Sequence, residues 1–532
     1  MLFRSGWTNR TIHIAAELLQ SAARVKKFLK RHGARSLKLI ILSDDVTPER
    51  HQELRDHDLI GSQASQIILR SGEAIDREHL KRVDCTQAAA IIIPSQNYGD
   101  QELITPDVET IKTLLSINAE MESSTNGYMP YVVAELQNEN KLSAARRAYK
   151  GPMEVISSDT IISRLIAQNI RHYGLSIIYN ELLSHSANNN LYAREFQEAT
   201  NRTFREVSHH FTKCILFGVV RPENGTFRPI LNPPADFTIE NGDRLILLSR
   251  NLDESEWGHQ PAAPSGNRSE DRFGKEFSKP KIGSEKSHTR LLILGWNHHL
   301  PALIKELGTY KEESFEITIA SVRHLEERER EIELVEPDKQ VVSCKQVKAD
   351  YIREMELRSL DPAHYDNILL ISSDKLSAEE EADARTIVGY TLLEEVLEEA
   401  ENRPRMIMEL ADPNNEILIR NFMSEVIIGP LILSNLLATI AMRRELNTVY
   451  SELFTAGGAE INFRRPGDYG IGGETLSFSD IQQAASVHNE TAIGVFMGSR
   501  ASANTLNLSM NPPRHQSFQL TDSVKLVVLS SV

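Results

Sequence analysis

Short apolar runs rich in Val, Ile and Leu alternate with stretches of helical periodicity along the chain, and the alternation is written twice. The first half opens with LFRSGW and continues with apolar runs at Ser36–Asp45, Ser65–Arg70, Ala89–Ser95 and Tyr131–Leu136. The second opens with LLILGW and continues at Phe315–Val322, Gln340–Cys344, Asn367–Ser373 and Arg405–Leu410. Their length and β-branching fit buried strands, and helical stretches such as EHLKRV and DVETIKTLLSINAEM lie between them. The pattern predicts βαβ units and, in each half, a parallel, doubly wound sheet.

A long helix is predicted next in each half, over residues 155–183 and 426–454. At a constant offset, Val155, Ile156, Ser163, Leu165, Ala167, Leu175, Tyr179, Glu181 and Leu182 recur as Val426, Ile427, Ser434, Leu436, Ala438, Leu446, Tyr450, Glu452 and Leu453. So long a register marks an internal repeat. Ile161, Ile162, Leu165, Ile166 and Ile170 crowd one stripe of the first helix, and Leu431, Leu433, Leu436, Leu437 and Ile440 one of the second. Stripes this wide need a cover, either inside their own half or from another lobe or subunit.

Each half closes with a small β pattern. Asn-Pro-Pro at 232–234 returns at 511–513, the closing RLILLS returns as KLVVLS, and ENG (223–225) and ENGD (240–243) supply turns. The expected fold is therefore α/β: two Rossmann-like parallel-sheet lobes, each followed by a crossover helix and a small α+β or β lobe. The boundaries are 1–153 and 154–251 for the first half, 289–424 and 425–532 for the second. Residues 252–288, polar and without hydrophobic periodicity, read as a linker.

Composition narrows the function. Among 532 residues, 59 Lys and Arg face 74 Asp and Glu, a formal charge of −15 that argues against a nucleic-acid partner. Three scattered cysteines fit a reducing, cytoplasmic setting. The longest uncharged stretch, Val426–Met442, is too short to span a bilayer, and the opening residues lack a secretory h-region.

The chemistry is sparse. Gly6 and Gly295 follow the first strand of each sheet, where a nucleotide-binding fold cradles a pyrophosphate, but neither half has G-x-G-x-x-G. Thr8, Asn9, Asn297 and His298 stand there instead. Asp44 and Asp45 follow the second strand, where a carboxylate would take ribose hydroxyls; the second half has no such acid. Acids cluster after the fourth strand of the second half, and Asp374 and Asp383 are candidate Ca²⁺ ligands, although acids in a first helical turn are also favoured by the helix dipole. His209, His210 and Cys214, and separately His298 and His299, lack a second pair at metal-ligand spacing and read as structural. No catalytic motif is present, and no catalytic residue is assigned.

These features resemble the tandem RCK domains (regulators of K⁺ conductance) of CASTOR and POLLUX type cation channels. The resemblance is carried by Ser5-Gly6-Trp7 and Leu294-Gly295-Trp296, ILRSG (68–72) with LKRV (80–83), Ala382-Asp383-Ala384-Arg385, Tyr-x-Glu-Leu at 179–182 and 450–453, LNPP and NGD. It implies a cytoplasmic, non-enzymatic gating apparatus at the inner face of a membrane, a homotetrameric ring of eight domains that responds to a ligand, often Ca²⁺, and acts on a pore domain or subunit. That pore is expected outside these residues. Arg4 and Ser5 depart from the apolar first strand of the pattern. A peripheral nucleotide-binding subunit of a potassium uptake system and an NAD-dependent oxidoreductase built on Gly6 and Asp44 stay open as alternatives.

Overall fold

The structure is a computed structural model that describes residues 1–20, 22–95, 106–124, 127–172, 174–183, 189–223, 226–258, 287–373, 379–419, 425–455, 457–497 and 507–531. In chain order its first Rossmann lobe contains β1 (Leu2–Ser5), β2 (Leu39–Ser43), β3 (Ile67–Ser71), β4 (Ala90–Ile93), β5 (Tyr131–Leu136) and β6 (Met153–Ser157). The first small lobe adds β7 (Asn190–Arg194), β8 (Ile215–Glu223), β9 (Thr226–Leu231) and β10 (Arg244–Ser249). The second Rossmann lobe comprises β11 (Ser287–Leu294), β12 (Glu313–Ser321), β13 (Val342–Lys348), β14 (Asn367–Leu370), β15 (Arg405–Leu410) and β16 (Glu425–Ile428). The chain closes with β17 (Ala459–Arg464), β18 (Thr475–Ser477), β19 (Thr491–Met497), β20 (Asn507–Met510), β21 (Ser517–Gln519) and β22 (Val524–Ser531).

Both large sheets are parallel, with the equivalent orders β3-β2-β1-β4-β5-β6 and β13-β12-β11-β14-β15-β16. Each reverses strand order between its first and fourth strands, which places a topological switch point beside β1 and β11. The central strands β4 and β14 are buried along their whole length because helices cover both faces, as their unbroken apolar runs require. Arg4 and Ser5 do not interrupt β1. They pair in register with Ile41 and Leu42, and the buried Arg4 guanidinium folds back to donate to Gly6 O and to Thr8 Oγ1 (3.0 Å).

The long helices differ from expectation. Val155, Ile156, Val426 and Ile427 belong to the sixth strands, where β-branching extends each sheet. Beyond each sixth strand the chain forms a helix pair: Ser158–Arg171 then Leu175–Leu183, and Gly429–Met442 then Leu446–Phe454. The first pair is parted near Gly174, whose φ of 102° lies outside the helical region.

Compactness does not follow the two halves. One compact unit holds both Rossmann lobes with the first crossover helices, from Met1–Ser176, Ser287–Ile419 and the segment ending at Arg444. The other holds both small lobes, from Ile177 onward and from Glu445 onward. In the first unit, helix Ser158–Arg171 packs on helix Leu300–Leu307 of the second half, while Gly429–Met442 packs on Thr11–Gln20 of the first. The apolar stripes are thus covered reciprocally by the opposite half. Arg164 and Arg171 add ion pairs to Glu306 and Glu313 across this seam.

The second unit repeats the exchange in its own terms. Tyr179 donates to Leu453 O and Tyr450 to Leu182 O, both at 3.4 Å. Residues that recur between the halves therefore meet each other in space. The Asn of each Asn-Pro-Pro motif, Asn232 and Asn511, has a φ of 44° and reaches the other small lobe, contacting Asn489 O and Lys213 O. Each four-stranded antiparallel sheet is joined by short helices, Phe204–Ser208 and Phe478–Val487, both closed by capping boxes.

Candidate functional site

In each Rossmann lobe the crevice at the switch point is where a parallel sheet of this order would take a ligand. In the first lobe it is bridged from within. Arg10, at the start of the first helix, donates to Glu135 Oε1 (3.1 Å) and Oε2 (2.6 Å) at the end of β5, and to Ser95 O (3.1 Å) beyond β4. Ser95 N returns a hydrogen bond to Glu135 Oε2 at 3.0 Å. Both charged side chains are almost fully buried. Complete burial, then the Arg10 charge, pushes the Arg4 guanidinium down to about 9, with Glu135 opposing, so it stays charged at neutral pH.

The second lobe repeats the bridge with different chemistry. Glu409, the counterpart of Glu135 on β15, lies 2.6 Å from His299 Nε2 and accepts from Asn297 Nδ2 at 3.0 Å; Asn297 also donates to Ser372 O at 3.3 Å. His299 thus occupies the place of Arg10, and Ser372 that of Ser95. These bridges span the ground where a pyrophosphate would sit.

The glycines serve the same close packing. Gly6 and Gly295 have φ of 72° and 111°, and a Cβ on Gly295 would stand 2.5 Å from Ile371 O. Their amides bind the neighbouring strands, to Leu42 O (2.7 Å) and Ala320 O (2.9 Å), instead of facing a ligand. Behind the second turn, Trp296 is buried beneath Arg323 and Arg328. Asp44 and Asp45 lie after β2, where Ser43 Oγ donates to Asp44 Oδ1 (3.3 Å) and to Asp45 O (3.0 Å). Both are exposed at the strand end expected of them, and Arg50 joins them there, donating to Ser43 Oγ (2.7 Å) and to Asp45 O while lying over the Trp7 ring.

Asp383 is fully buried and already saturated. Its Oδ1 accepts from Ser372 Oγ (2.8 Å) and Ala411 N (2.9 Å), and its Oδ2 from Asp412 N (2.9 Å) and Asn415 Nδ2 (2.8 Å). Asp107 has the same task in the first lobe, accepting from Gln137 N (2.7 Å) and Asn138 N (3.2 Å). The two aspartates pin the loop after the fifth strand, and an ion on Asp383 would have to displace those donors. Asp374 lies outside the described residues, as does most of the 252–288 linker. Cys85 and Cys214 are buried thiols that burial pushes up to about 12, which leaves them inert.

A third cluster escaped the sequence. Asp159, in the first turn of helix Ser158–Arg171, meets His298 and His299 of the second lobe. Asp159 is 139 residues away from His298 in sequence, so no local spacing signals the encounter.

Residues 159–262 match the family described as Castor and Pollux, part of voltage-gated ion channel. The chain is 23% identical to the ion channel CASTOR of Lotus japonicus over 507 residues, 88% of this chain and 56% of that protein. The chain resembles the Castor and Pollux channels. It is also 22% identical to the probable ion channel POLLUX of Arabidopsis thaliana over 496 residues, 86% of this chain and 57% of that one. This Castor/Pollux-like chain therefore spans a little over half the length of those relatives. Its fold matches the human SLO3 gating ring, with a TM-score of 0.67, 15% identity and coverage of 99% of both chains. The α/β fold expected from the motifs, with Rossmann-like parallel sheets followed by crossover helices and small lobes, is the fold observed. Among the described residues no helix is long and apolar enough to cross a membrane.

Proposed function

We propose that this chain is a cytoplasmic, non-enzymatic gating module of a cation channel. Four copies would form a ring of eight RCK domains attached to a pore domain or subunit, and ligand binding would change the ring's arrangement. The observation that carries this reading is the reciprocal packing of the crossover helices, which fuses two similar lobes into one unit. A ligand that alters one lobe then biases the other, as a two-state transmitter of work requires. The internal bridges at both switch points weigh against a dinucleotide cofactor and hydride transfer.

Sedimentation of the purified chain with and without Ca²⁺, Mg²⁺, NAD and ATP tests the reading. The expected result is a dimeric or tetrameric species whose mass, shape or thermal midpoint responds to one ligand. A strict monomer at every concentration, indifferent to all four, would overturn it.

A further inference from the structure

We infer that Asp159, His298 and His299 form a binding site for a Zn²⁺-class divalent ion at the junction of the first crossover helix with the second Rossmann lobe. Among the described residues they are the one group of three metal-ligating side chains whose donor atoms all lie within 4.8 Å of one another. His298 Nε2 is 3.2 Å from Asp159 Oδ1, yet that oxygen is buried and accepts no hydrogen bond. Two ligands each about 2.0–2.1 Å from one tetrahedral ion stand about 3.3–3.4 Å apart. The nitrogen and oxygen are thus spaced as two ligands of a common ion and oriented poorly as donor and acceptor.

The surroundings supply the support that such a site needs. The His299 side chain is 10% exposed, its Nε2 is engaged by Glu409 at 2.6 Å, and Asn297 steadies the other Glu409 oxygen. A carboxylate that fixes one ring nitrogen orients the other toward a metal and raises its basicity. Ser163 Oγ donates to His299 O at 3.1 Å, tying the histidine backbone to the helix that bears Asp159. The His298 side chain is 37% exposed and gives an ion a way in.

The donor set selects the ion. Two imidazoles and one carboxylate suit Zn²⁺ and its neighbours, with a fourth position open to water, whereas Ca²⁺ and Mg²⁺ prefer six or more oxygens. The equivalent positions of the repeat are Asn9, Arg10 and Pro430, which offer no such set, so the site is not duplicated by the repeat. An ion there would clamp one half's crossover helix to the other half's sheet. The site does not depend on the gating reading: a chain that binds the ion but never assembles would keep this inference and lose that one.

The test is a titration of the full chain, stripped with EDTA, with Zn²⁺ by calorimetry and with Co²⁺ by visible absorption. One ion per chain is expected, with the intense visible bands of a four-coordinate site and no thiolate charge-transfer band; Ca²⁺ in excess should not compete. Asp159→Asn and His298→Ala should each abolish this binding, Glu409→Gln should weaken it about 10–100-fold, and Cys344→Ser, which alters an exposed thiol, should leave it intact. No one-to-one binding in the unaltered chain, or binding unchanged in both ligand variants, would overturn the inference.

Discussion

Replacing Glu135 with Ala would remove one carboxylate and leave Arg10 and Arg4 buried with no counter-charge at the first switch point. Their side chains are nearly inaccessible, and Glu135 accepts three hydrogen bonds, two from Arg10 and one from Ser95 N. Breaking a buried pair from one side costs about 3–5 kcal/mol, because the surviving charge is stranded, while removing both partners costs much less. Glu135→Ala and Arg10→Ala should each destabilise by that amount, and the double variant by clearly less than their sum. Arg4 limits the recovery, since it keeps a positive charge in the crevice even when Arg10 is gone.

Trp7 and Trp296 lie in the first compact unit and Trp257 in the second. In a Trp257→Phe background, fluorescence during urea unfolding therefore reports the unit that holds the pair. A coupling energy of about 1–3 kcal/mol is expected from the double-mutant cycle. Single variants each costing under about 1 kcal/mol, or a double variant additive within about 0.5 kcal/mol, would refute the claim that the bridge closes the crevice.

Other perturbations test the remaining contacts. Gly295→Ala should cost about 1–3 kcal/mol or more, since its φ is 111° and the added Cβ meets Ile371 O at 2.5 Å, whereas Gly457→Ala, with φ of 80° and open space, should cost about 1 kcal/mol; equal midpoints in urea would refute the steric argument. Asp383→Asn should lower stability by about 1–3 kcal/mol without Ca²⁺ present, because an amide offers one accepting oxygen to donors that now engage two; a neutral effect, with loss of a Ca²⁺-induced thermal shift, would return Asp383 to the role of ion ligand. Burial pushes Glu425 up to about 8, against hydrogen bonds from Gly174 N and Ser176 that favour its charged form, so the native state holds this proton more tightly than the unfolded chain. Its contribution to stability should be full below about pH 4.5 and fall as pH rises through 8, and Glu425→Gln should flatten that slope; identical pH profiles would refute the assignment.

The sequence made the sheets legible because strands buried on both faces must be continuously apolar, and the bounds of β5 and β15 follow directly from YVVAEL and RMIMEL. It misplaced β6 and β16 because Met153–Ser157 and Glu425–Ile428 run straight into helices: Ser157-Ser158-Asp159 and Gly429-Pro430 mark the helix starts, but the apolar residues on either side read as one continuous helical run. Glu135 and Glu409 were visible as equivalents, but their partners Arg10 and His299 look unlike each other and lie far away in the chain. Asp383 was visible as an acid near a helix start; its four donors come from a hydroxyl, two backbone amides and a side-chain amide, three of them in later segments, which no spacing encodes. The same blindness hid Asp159, which reaches His298 only because the crossover helices exchange halves.

That exchange explains why a duplicated fold can be an asymmetric device. Reciprocal packing requires the two halves to match in shape, and the recurrence of Val155, Leu165, Tyr179 and Leu182 as Val426, Leu436, Tyr450 and Leu453 meets that requirement. It places no demand on the chemistry at the switch points, provided each carboxylate is satisfied. The first half satisfies Glu135 with a guanidinium, which donates hydrogen bonds and has no lone pair to offer an ion. The second satisfies Glu409 with an imidazole, and the crossover helix lent by the first half brings Asp159 to His298 beside it, whereas the position equivalent to Asp159 in the second half's helix is Pro430. Two lobes joined through helices that each half lends to the other thus differ in the chemistry that closes their crevices. An ion held by Asp159, His298 and His299 as proposed would therefore act at one lobe and not at its repeat, which a pair of identical lobes would not allow.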